Sequence, residues 1–266
     1  MSERTDTAPV TAPARSDEAP LALVTGATQG IGAAIAARLA ADGMRVAVGG
    51  RPEGTRVAEA AAAIGAIPAP ADVADRQQIR AMVDELTDAH GDIDVLVGNA
   101  AYMTMAPLAE HDPDDWWRVV DTNLTGTFDL VQAVLPGMRR RGRGRIVLIT
   151  SEWGVTGWPN ATAYAASKAG LIALTKSLGR ELAPEGILVN AVAPGVVDTP
   201  QLHVDARDAG VPLAEMHARY AEEIPFGRIG RPEEIAAAVS LLTDFGVGAL
   251  AGQTIQINGG STRCRA

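Results

Sequence analysis

Short apolar runs alternate with longer alanine-rich stretches over most of the chain, and this alternation is typical of βα units around a parallel sheet. Runs such as Leu21–Val24 carry no polar residue, as expected of strands buried on both faces. We predict strands at 21–24, 46–48, 66–68, 93–97, 145–150, 187–191 and 254–257. Helical periodicity predicts helices up to Asp42, over 55–64, up to Ala89, up to Arg141 and over 232–242.

Three segments lie outside this pattern. Residues 1–20 mix charged side chains with alanine, threonine and proline, which predicts a disordered N-terminal tail. Residues 200–227 carry Pro200, Pro212 and Pro225 around a helical middle, and we expect them to contribute no strand. Residues 261–266 are predicted to be a short C-terminal tail. The folded part is therefore predicted to be one domain over residues 21–260.

Composition narrows the class of partner. The 266 residues are 47% hydrophobic, and 23 basic against 32 acidic residues leave a net charge of -9. This charge argues against nucleic acid and anionic membranes as partners. The one cysteine, Cys264, cannot form an internal disulfide. Because the chain has neither the apolar run of a signal peptide nor an uncharged apolar stretch of ~18 residues, we expect a cytoplasmic protein with small ligands.

The acidic stretch His111-Asp112-Pro113-Asp114-Asp115 could be mistaken for a set of metal ligands. Asp112 as a helix N-cap, with Pro113 at the first helical position and acids in the first turn, explains the same residues. We therefore predict a helix start here and no metal site.

A glycine-rich turn follows the first predicted strand and opens the first helix. Glycines at such a turn let the backbone pass close to a phosphate at the helix N-terminus. The spacing is Gly-x-x-x-Gly-x-Gly instead of the commoner Gly-x-Gly-x-x-Gly, and a glycine-rich turn without a ligand is the alternative. The predicted cofactor contacts in this turn are Gly26, Thr28, Gln29, Gly30, Ile31 and Gly32.

The end of the second strand bears on the choice of dinucleotide. An acid there would bind the adenine ribose hydroxyls and repel a 2′-phosphate, whereas an arginine would attract that phosphate. The strand runs into Gly49-Gly50-Arg51 and offers no acid. We predict NADP as the cofactor and NAD as the less favoured one, the alternative being a solvated loop arginine. Asp72 and Val73, near the end of the third strand, are placed to meet the adenine.

Tyr164 and Lys168 are the strongest candidates for catalysis. Residues four apart share a face of a helix, so the ammonium can lie beneath the phenol. A nearby cation lowers the pKa of a phenol from its usual ~10, which would let Tyr164 exchange a proton with a carbonyl oxygen or an alcohol near neutral pH. Ser151, at the end of the fifth strand, can hold the same oxygen. An ordinary helix surface is the alternative.

Taken in order, these residues resemble the pattern of the short-chain dehydrogenase/reductase family. The shared motifs are Thr25-Gly26-x-x-x-Gly30-Ile31-Gly32, Asp72, Asn99, Asn123, Ser151, Tyr164-x-x-x-Lys168 and Pro194-Gly195-Val196-Val197-Asp198-Thr199. The resemblance covers residues 21–260 and is strongest to 3-oxoacyl-acyl-carrier-protein reductases and polyketide ketoreductases. It implies a doubly wound (Rossmann) α/β fold with a seven-stranded parallel sheet. It also implies hydride transfer between NADP(H) and a ketone or secondary alcohol, in a homotetramer.

The resemblance also implies individual roles. Tyr164 would exchange the proton, Ser151 would hold the carbonyl oxygen, and Lys168 would bind the nicotinamide ribose while lowering the phenol pKa. Asn123, an amide inside a predicted helix, would hold a water that links Lys168 to solvent, or would mark a structural kink. Further cofactor contacts are implied at Asn99, Pro194, Gly195, Val197 and Thr199, and residues 200–227 would cover the substrate as a lid.

In one place the sequence departs from the family pattern. The usual Asn-Asn-Ala-Gly is here Gly98-Asn99-Ala100-Ala101, so Asn99 is kept while a glycine becomes alanine. Cofactor binding should tolerate this change. The geometry of the loop beside the nicotinamide is left open by the sequence.

The substrate is predicted from side chains around the catalytic residues. Trp153 and Trp158 lie between Ser151 and Tyr164, although aromatic residues make up 4% of the chain, and they suit a cyclic or aromatic ketone. Packing against the lid or a neighbouring subunit is the alternative for both. His203, in the lid, is a further candidate to face the substrate.

Other functions remain open from the sequence. Arg139-Arg140-Arg141 and Arg180 resemble the patch with which acyl-carrier-protein reductases receive an acidic acyl carrier protein, but arginines at a helix end are also favoured by the helix dipole. An NAD-dependent alcohol dehydrogenase and a non-catalytic dinucleotide-binding protein are further alternatives. We favour the free ketone.

Overall fold

The computed structural model describes residues 19–262, in which seven parallel strands form one sheet. The strands are β1 (Leu21–Val24), β2 (Arg45–Gly50), β3 (Ile67–Pro70), β4 (Val95–Gly98), β5 (Gly144–Ile149), β6 (Ile187–Pro194) and β7 (Thr254–Ile257). They lie side by side in the order β3-β2-β1-β4-β5-β6-β7, which confirms the predicted doubly wound α/β architecture. Residues 1–18 of the predicted N-terminal tail and residues 263–266, with Cys264, lie outside the described residues.

Helices connect the strands and cover both faces of the sheet. They are α1 (Gly30–Ala41), α2 (Arg56–Ala63), α3 (Arg76–His90), α4 (Pro113–Val120), α5 (Gly126–Arg141), α6 (Trp153–Thr156), α7 (Thr162–Leu182), α8 (Pro200–Asp208), α9 (Leu213–Glu222) and α10 (Pro232–Thr243). A π-helical turn, Asp121–Thr125, joins α4 to α5. Within residues 19–262, none of the helices is both long and apolar enough to cross a membrane.

Four strands end later than predicted: β2 at Gly50, β4 at Gly98, and also β3 and β6. β3 extends to Pro70, beyond the predicted 66–68, because it is an edge strand that pairs only with β2 and can therefore tolerate prolines without amide donors. β6 extends to Pro194, beyond the predicted Ala191, because its last residues pair with β7, including Val192 with Ile255.

The core lies on both faces of the sheet, as the uninterrupted apolar runs predict. One cluster joins Leu21 and Leu23 to α3, α5 and α7, and the other joins Ala22 and Val24 to α1, α2 and α10. Neighbouring residues of β1 thus point to opposite faces. Since the helices pack against the faces, the carboxyl ends of the strands are left to form a site.

The strand order reverses between β1 and β4, and open α/β sheets bind ligands outside the carboxyl ends at such a point. The glycine turn follows β1, Gly98–Ala101 close β4, and Ser151 follows β5. The segment 200–227 forms α8 and α9, which pack together through Leu202 and Tyr220, with Ile224 in the same cluster. Its predicted lack of a strand is confirmed.

The helix start predicted around Asp112 is confirmed. The Asp112 carboxylate accepts hydrogen bonds from the amides of Asp114 (2.9 Å) and Asp115 (3.1 Å), and Pro113 occupies the first turn of α4. The carboxylate thus satisfies amides that have no partner within the helix.

Candidate active site

Two cavities meet at the carboxyl ends of the strands. The smaller, of about 220 Å³, is walled by the end of β5, by α7 and by the segment that follows β6. The larger is an open groove of about 780 Å³ along the glycine turn, the end of β2 and the segment after β3. The two share Ile31, Asn99, Ala101, Thr199 and Gln201. One elongated ligand can therefore extend from the groove into the smaller cavity.

Asn99 fastens the glycine turn to the end of β4. Its side-chain amide donates to the carbonyl oxygens of Thr25 (2.9 Å) and Gly26 (3.1 Å), and its backbone amide donates to the Thr25 hydroxyl (3.1 Å). The Ala100 amide donates to the same hydroxyl (3.1 Å). Asn99 and Thr25 thus hold the floor of the groove in place.

Ala101, at the position of the usual glycine, is compatible with this loop. Among the residues described, Asn160 is the one non-glycine residue with a positive φ, of 64°. Ala101 therefore does not need the conformational freedom of glycine. The departure from the family pattern causes no backbone strain beside the cavity.

The glycines of the turn are required by close contacts. A Cβ on Gly32 would lie 2.2 Å from the Gly26 carbonyl oxygen and 2.5 Å from Nδ2 of Asn99. Gly30, the first residue of α1, has a φ of +54°. The N-cap, Gln29, makes no side-chain cap bond, so the first amides of α1 are available to a phosphate in the groove. The turn therefore fits a dinucleotide pyrophosphate.

The far end of the groove carries two cations. Arg51 is exposed and lies 3.9 Å from the carboxylate of Glu53, a distance at which an exposed pair adds little stability. Arg56, which sequence reasoning missed, lines the groove at the same end. Asp72 and Val73 line the groove as predicted. These side chains suit an adenosine that carries an additional phosphate.

Ser151, Tyr164 and Lys168 converge on the smaller cavity. The Ser151 hydroxyl is hydrogen-bonded to the Tyr164 phenol and accepts from the Trp153 amide (3.1 Å). Tyr164 and Lys168 lie one turn apart on α7, with Nζ 5.4 Å from the centroid of the phenol ring. Lys168 is 2% exposed, and its Nζ donates to the Ile149 carbonyl (2.8 Å).

Burial, not the lysine charge, dominates the titration of Tyr164. It raises the pKa of Tyr164 to about 12, and the hydrogen bond from Ser151 offsets only part of this rise. Burial also lowers the pKa of Lys168 to about 8. The net pKa of Tyr164 is thus raised by burial, and a lowering contribution from Lys168 remains a prediction. Tyr164 is only half-buried toward the cavity, but a smaller upward shift would also leave the phenol protonated at neutral pH.

Asn123 clamps the loop after β4 to α7. Its Oδ1 accepts from the Tyr102 amide (2.8 Å), while Nδ2 donates to the Tyr102 carbonyl (3.0 Å) and to the Ser167 hydroxyl (3.1 Å). Its backbone lies in the π-helical turn, so the predicted local irregularity is confirmed. The water relay through Asn123 remains a prediction.

Of the two tryptophans predicted to face the substrate, only Trp153 lines the cavity. Trp158 stacks on the outer side of Trp153, with ring centroids 5.0 Å apart and planes 5° apart. Trp153 meets Tyr164 edge-on at 6.0 Å. Trp158 therefore supports Trp153, and its predicted contact with substrate is corrected to a packing role.

The lid helices face the cavity with residues that differ from the prediction. His203 is exposed on α8 and does not line the cavity, because helical spacing turns it away from Leu202 and Asp205, which do. Tyr220 of α9 also lines the cavity. Glu152, next to Ser151, is a further lining residue that sequence reasoning missed. Its position directly after Ser151 was the available signal.

The remaining predicted cofactor residues line one or both cavities. Gly26, Thr28, Gln29, Gly30, Ile31 and Gly32 line the groove. Pro194, Gly195 and Val197 line the smaller cavity, and Thr199 lines both. The segment after β6 thus lies where the groove meets the candidate catalytic residues.

Known proteins share the sequence and the fold. The profile of a family described as enoyl-(acyl carrier protein) reductase matches residues 26–262. The chain is 40% identical over 245 residues to 3-oxoacyl-[acyl-carrier-protein] reductase of Staphylococcus aureus, covering 90% of this chain and 96% of that protein. It is 38% identical over 245 residues to nodulation protein G of Azospirillum brasilense, with 90% and 97% covered. A crystal structure of an actinorhodin polyketide ketoreductase variant with NADPH matches with a TM-score of 0.87 and 39% identity, covering 91% of this chain and 97% of that one.

Proposed function

Because the chain belongs to the short-chain dehydrogenase/reductase family of oxidoreductases, we propose that it transfers hydride between NADP(H) and a ketone or secondary alcohol. The observation that carries this proposal is the convergence of Ser151, Tyr164 and Lys168 where the smaller cavity meets the groove. The proposed substrate is a free cyclic or aromatic ketone.

Tyr164 is the proposed proton donor. Its raised pKa keeps the phenol protonated at neutral pH, so it can pass a proton to the carbonyl oxygen of a ketone. NADPH, when bound, supplies the hydride to the carbonyl carbon. Ser151 donates a second hydrogen bond to the same oxygen and stabilises the negative charge that develops there. In the reverse direction, oxidation of an alcohol would need the Tyr164 phenolate to accept the proton.

Lys168 is proposed to hold the cofactor end nearest the substrate. One donor of its ammonium binds the Ile149 carbonyl, which leaves two donors for ribose hydroxyls. With a pKa of about 8, the ammonium stays mostly protonated at pH ~7. Thr199, Pro194 and the glycine turn would hold the remainder of the cofactor.

The choice of NADP over NAD is supported by charge at the groove's far end. Arg51 and Arg56 offer cations for a 2′-phosphate, and β2 ends in glycine instead of an acid. The similar polyketide ketoreductase variant was crystallised with NADPH. An NAD-dependent alcohol dehydrogenase is the less favoured alternative.

A free ketone is favoured over a carrier-bound one because the basic run is neutralised within the chain. Arg139 makes two hydrogen bonds to Glu185 (2.6 and 2.9 Å), Arg140 binds Asp92 (2.5 Å), and Arg141 binds Asp94 (3.1 Å). Arginines already paired with acids attract an acidic carrier less strongly.

Reduction of a 3-oxoacyl chain on acyl carrier protein is the second candidate. The names of the similar reductases support it, and Arg180 on α7 is exposed. A non-catalytic dinucleotide-binding protein is the least favoured alternative, because it would have no need of Ser151, Tyr164 and Lys168 together. A cytoplasmic homotetramer remains part of the proposal.

The proposal is tested by incubating the purified protein with NADPH or NADH and a panel of ketones while following loss of the reduced nicotinamide absorbance. We expect turnover with NADPH and a cyclic or aromatic ketone. Turnover on a carrier-bound 3-oxoacyl chain alone would support the second candidate. Binding of NADPH without turnover on any substrate would leave the non-catalytic alternative.

A further inference from the structure

Buried acids outside the cavity are paired with arginine. Asp94 is fully buried and is bound by Arg141 (3.1 Å) and Arg143 (3.2 Å). Asp129 is 8% exposed and is bound by Arg76 (2.8 Å). Such pairing compensates a carboxylate for the loss of water.

Glu152 is also buried, with 7% of its surface exposed, but its partners differ from those of Asp94 and Asp129. Its hydrogen-bond partners are the Ser261 hydroxyl and the side chain of Asn258, both neutral. Among residues 19–262 no basic side chain forms an ion pair with it. Burial and the nearby charge of Glu223 both raise the pKa of Glu152. A cation in the cavity would supply the missing partner and stabilise the carboxylate.

Asp205 brings a second carboxylate to the cavity from α8. Its partners are the Gln201 amide (3.0 Å) and the Tyr220 hydroxyl (3.5 Å), again both neutral. Lys168 is the one basic residue among those lining the cavity, and its Nζ is bound to the Ile149 carbonyl. The cavity thus has two carboxylates for which the described residues supply no cation.

Aromatic rings lie in the same lining. Trp153 and Tyr220 both line the cavity, and a cation beside aromatic faces gains additional stabilisation when it is removed from water. Carboxylates together with aromatic rings form a suitable environment for an organic ammonium group. They are unfavourable for a substrate that carries its own carboxylate.

We propose that the cavity selects a ketone bearing a protonated amine, with Glu152 and Asp205 as the groups that recognise the ammonium. This inference rests on the proposed ketone reduction and specifies the substrate class of the same site. The Glu152 carboxylate lies beside Gly195 of the same cavity lining, where a Cβ on Gly195 would be 3.2 Å from Oε1 of Glu152. Asp205 lies on α8 of the lid, so it would contact the ammonium from a different element than Glu152, which follows β5.

The test compares three cyclohexanones that differ only in the substituent at position 4, each with NADPH as the reductant. 4-(Dimethylamino)cyclohexanone and 4-isopropylcyclohexanone have nearly the same shape and differ in charge, while 4-oxocyclohexanecarboxylate carries the opposite charge. A hydrogen bond to a charged group changes binding affinity about tenfold to a hundredfold. We therefore expect kcat/KM for the amine to exceed kcat/KM for the isopropyl ketone at least about tenfold. The carboxylate should be the poorest substrate. Equal kcat/KM for the first two ketones would overturn the proposal.

Variants identify the recognising groups. Glu152→Gln should reduce the preference for the amine about tenfold, mainly through KM, and Asp205→Asn should reduce it in the same direction. Glu222→Gln removes the same charge from an exposed position at the end of α9 and should leave the preference unchanged. Circular dichroism checks folding, and Asp205→Asn provides the test if Glu152→Gln does not fold. An unchanged preference in the folded variants would overturn the assignment.

Failure of this inference is distinguishable from failure of the proposed function. Reduction of 4-isopropylcyclohexanone without a preference for the amine would leave ketone reduction intact and overturn only amine selection. If none of the three cyclohexanones and no ketone of the wider panel is reduced, the proposed reaction is refuted. Amine selection is then refuted with it.

Discussion

The ammonium of Lys168 lies over the ring of Tyr164, with Nζ 5.4 Å from the ring centroid. Burial lowers the pKa of the lysine to about 8 and raises that of the tyrosine to about 12. Both shifts favour the neutral form. The buried ammonium of Lys168 therefore lowers the stability of the folded protein when it is charged, and this effect depends measurably on pH.

We expect Lys168→Met to be more stable than wild type at neutral pH, with the difference shrinking as pH rises. The pKa of Lys168 is about 8 when folded, against an ordinary value of 10.5, so between these values the unfolded chain binds more protons and wild-type stability rises with pH. The full shift corresponds to a difference on the order of 3 kcal/mol. Urea unfolding at several pH values measures it.

Lys176→Met, on the exposed face of the same helix, is the control for this experiment. It removes a lysine charge without removing a buried ammonium, so its stability relative to wild type should not follow the same pH trend. A Lys168→Met difference that stayed constant from pH ~7 to ~10 would contradict the lowered lysine pKa.

Tyr164→Phe should keep cofactor binding and lose turnover about 100-fold or more. The phenol is the proposed donor of the proton to the carbonyl oxygen, while the ring contact with Trp153 is retained by phenylalanine. Steady-state kinetics and NADPH fluorescence titration measure the two properties separately. Near-normal turnover in a variant that binds NADPH would exclude Tyr164 as the proton donor.

Arg51→Ala should weaken NADPH binding about tenfold to a hundredfold and change NADH binding little. An arginine-to-phosphate pair is charge-assisted, and only NADPH carries the 2′-phosphate. Binding titrations with both cofactors measure the ratio. Arg56→Ala should act in the same direction because Arg56 lines the same end of the groove. Equal affinity of the wild type for both cofactors would refute the preference.

Gly32→Ala should destabilise the glycine turn and abolish cofactor binding. The added Cβ would lie 2.2 Å from the Gly26 carbonyl oxygen, and that oxygen belongs to a backbone held by Asn99. Gly248→Ala is the matched control, since a Cβ there meets nothing within 4 Å. Thermal unfolding and NADPH titration compare the two. Normal cofactor binding by Gly32→Ala would show that the turn can relax.

Local patterns predicted the fold and located the candidate catalytic residues because their information is contained in short segments. The apolar runs located the strands, and the spacing of Tyr164 and Lys168 placed both on one face of α7. Residues that meet through tertiary packing could not be found in this way. Asp205 and Tyr220 reach the cavity only because α8 and α9 pack together, and the pKa of Tyr164 depends on burial that no spacing reveals.

Trp153→Ala should raise KM for cyclic and aromatic ketones about tenfold and leave KM for short linear ketones nearly unchanged. The indole lines the cavity and is held in place by its stack on Trp158, so its loss removes a flat apolar wall that rings contact more than linear chains do. Steady-state kinetics with both kinds of ketone measure the effect. Trp117→Ala, an exposed position on α4, is the control.

Activity measured at increasing salt concentration distinguishes a free ketone from a carrier-bound substrate. If an acyl carrier protein is the true partner, activity on its 3-oxoacyl chain should fall steeply as salt rises, because charge attraction between the proteins is screened. Activity should also fall when Arg139 and Arg140 become alanine. We expect salt and the two alanine substitutions to lower activity on the carrier-bound chain no more than activity on a free ketone. Arg139 and Arg140 are already paired with acids of the chain. Equal losses on ring and linear ketones in Trp153→Ala, together with a steep salt dependence on the carrier substrate, would favour the carrier-bound reaction.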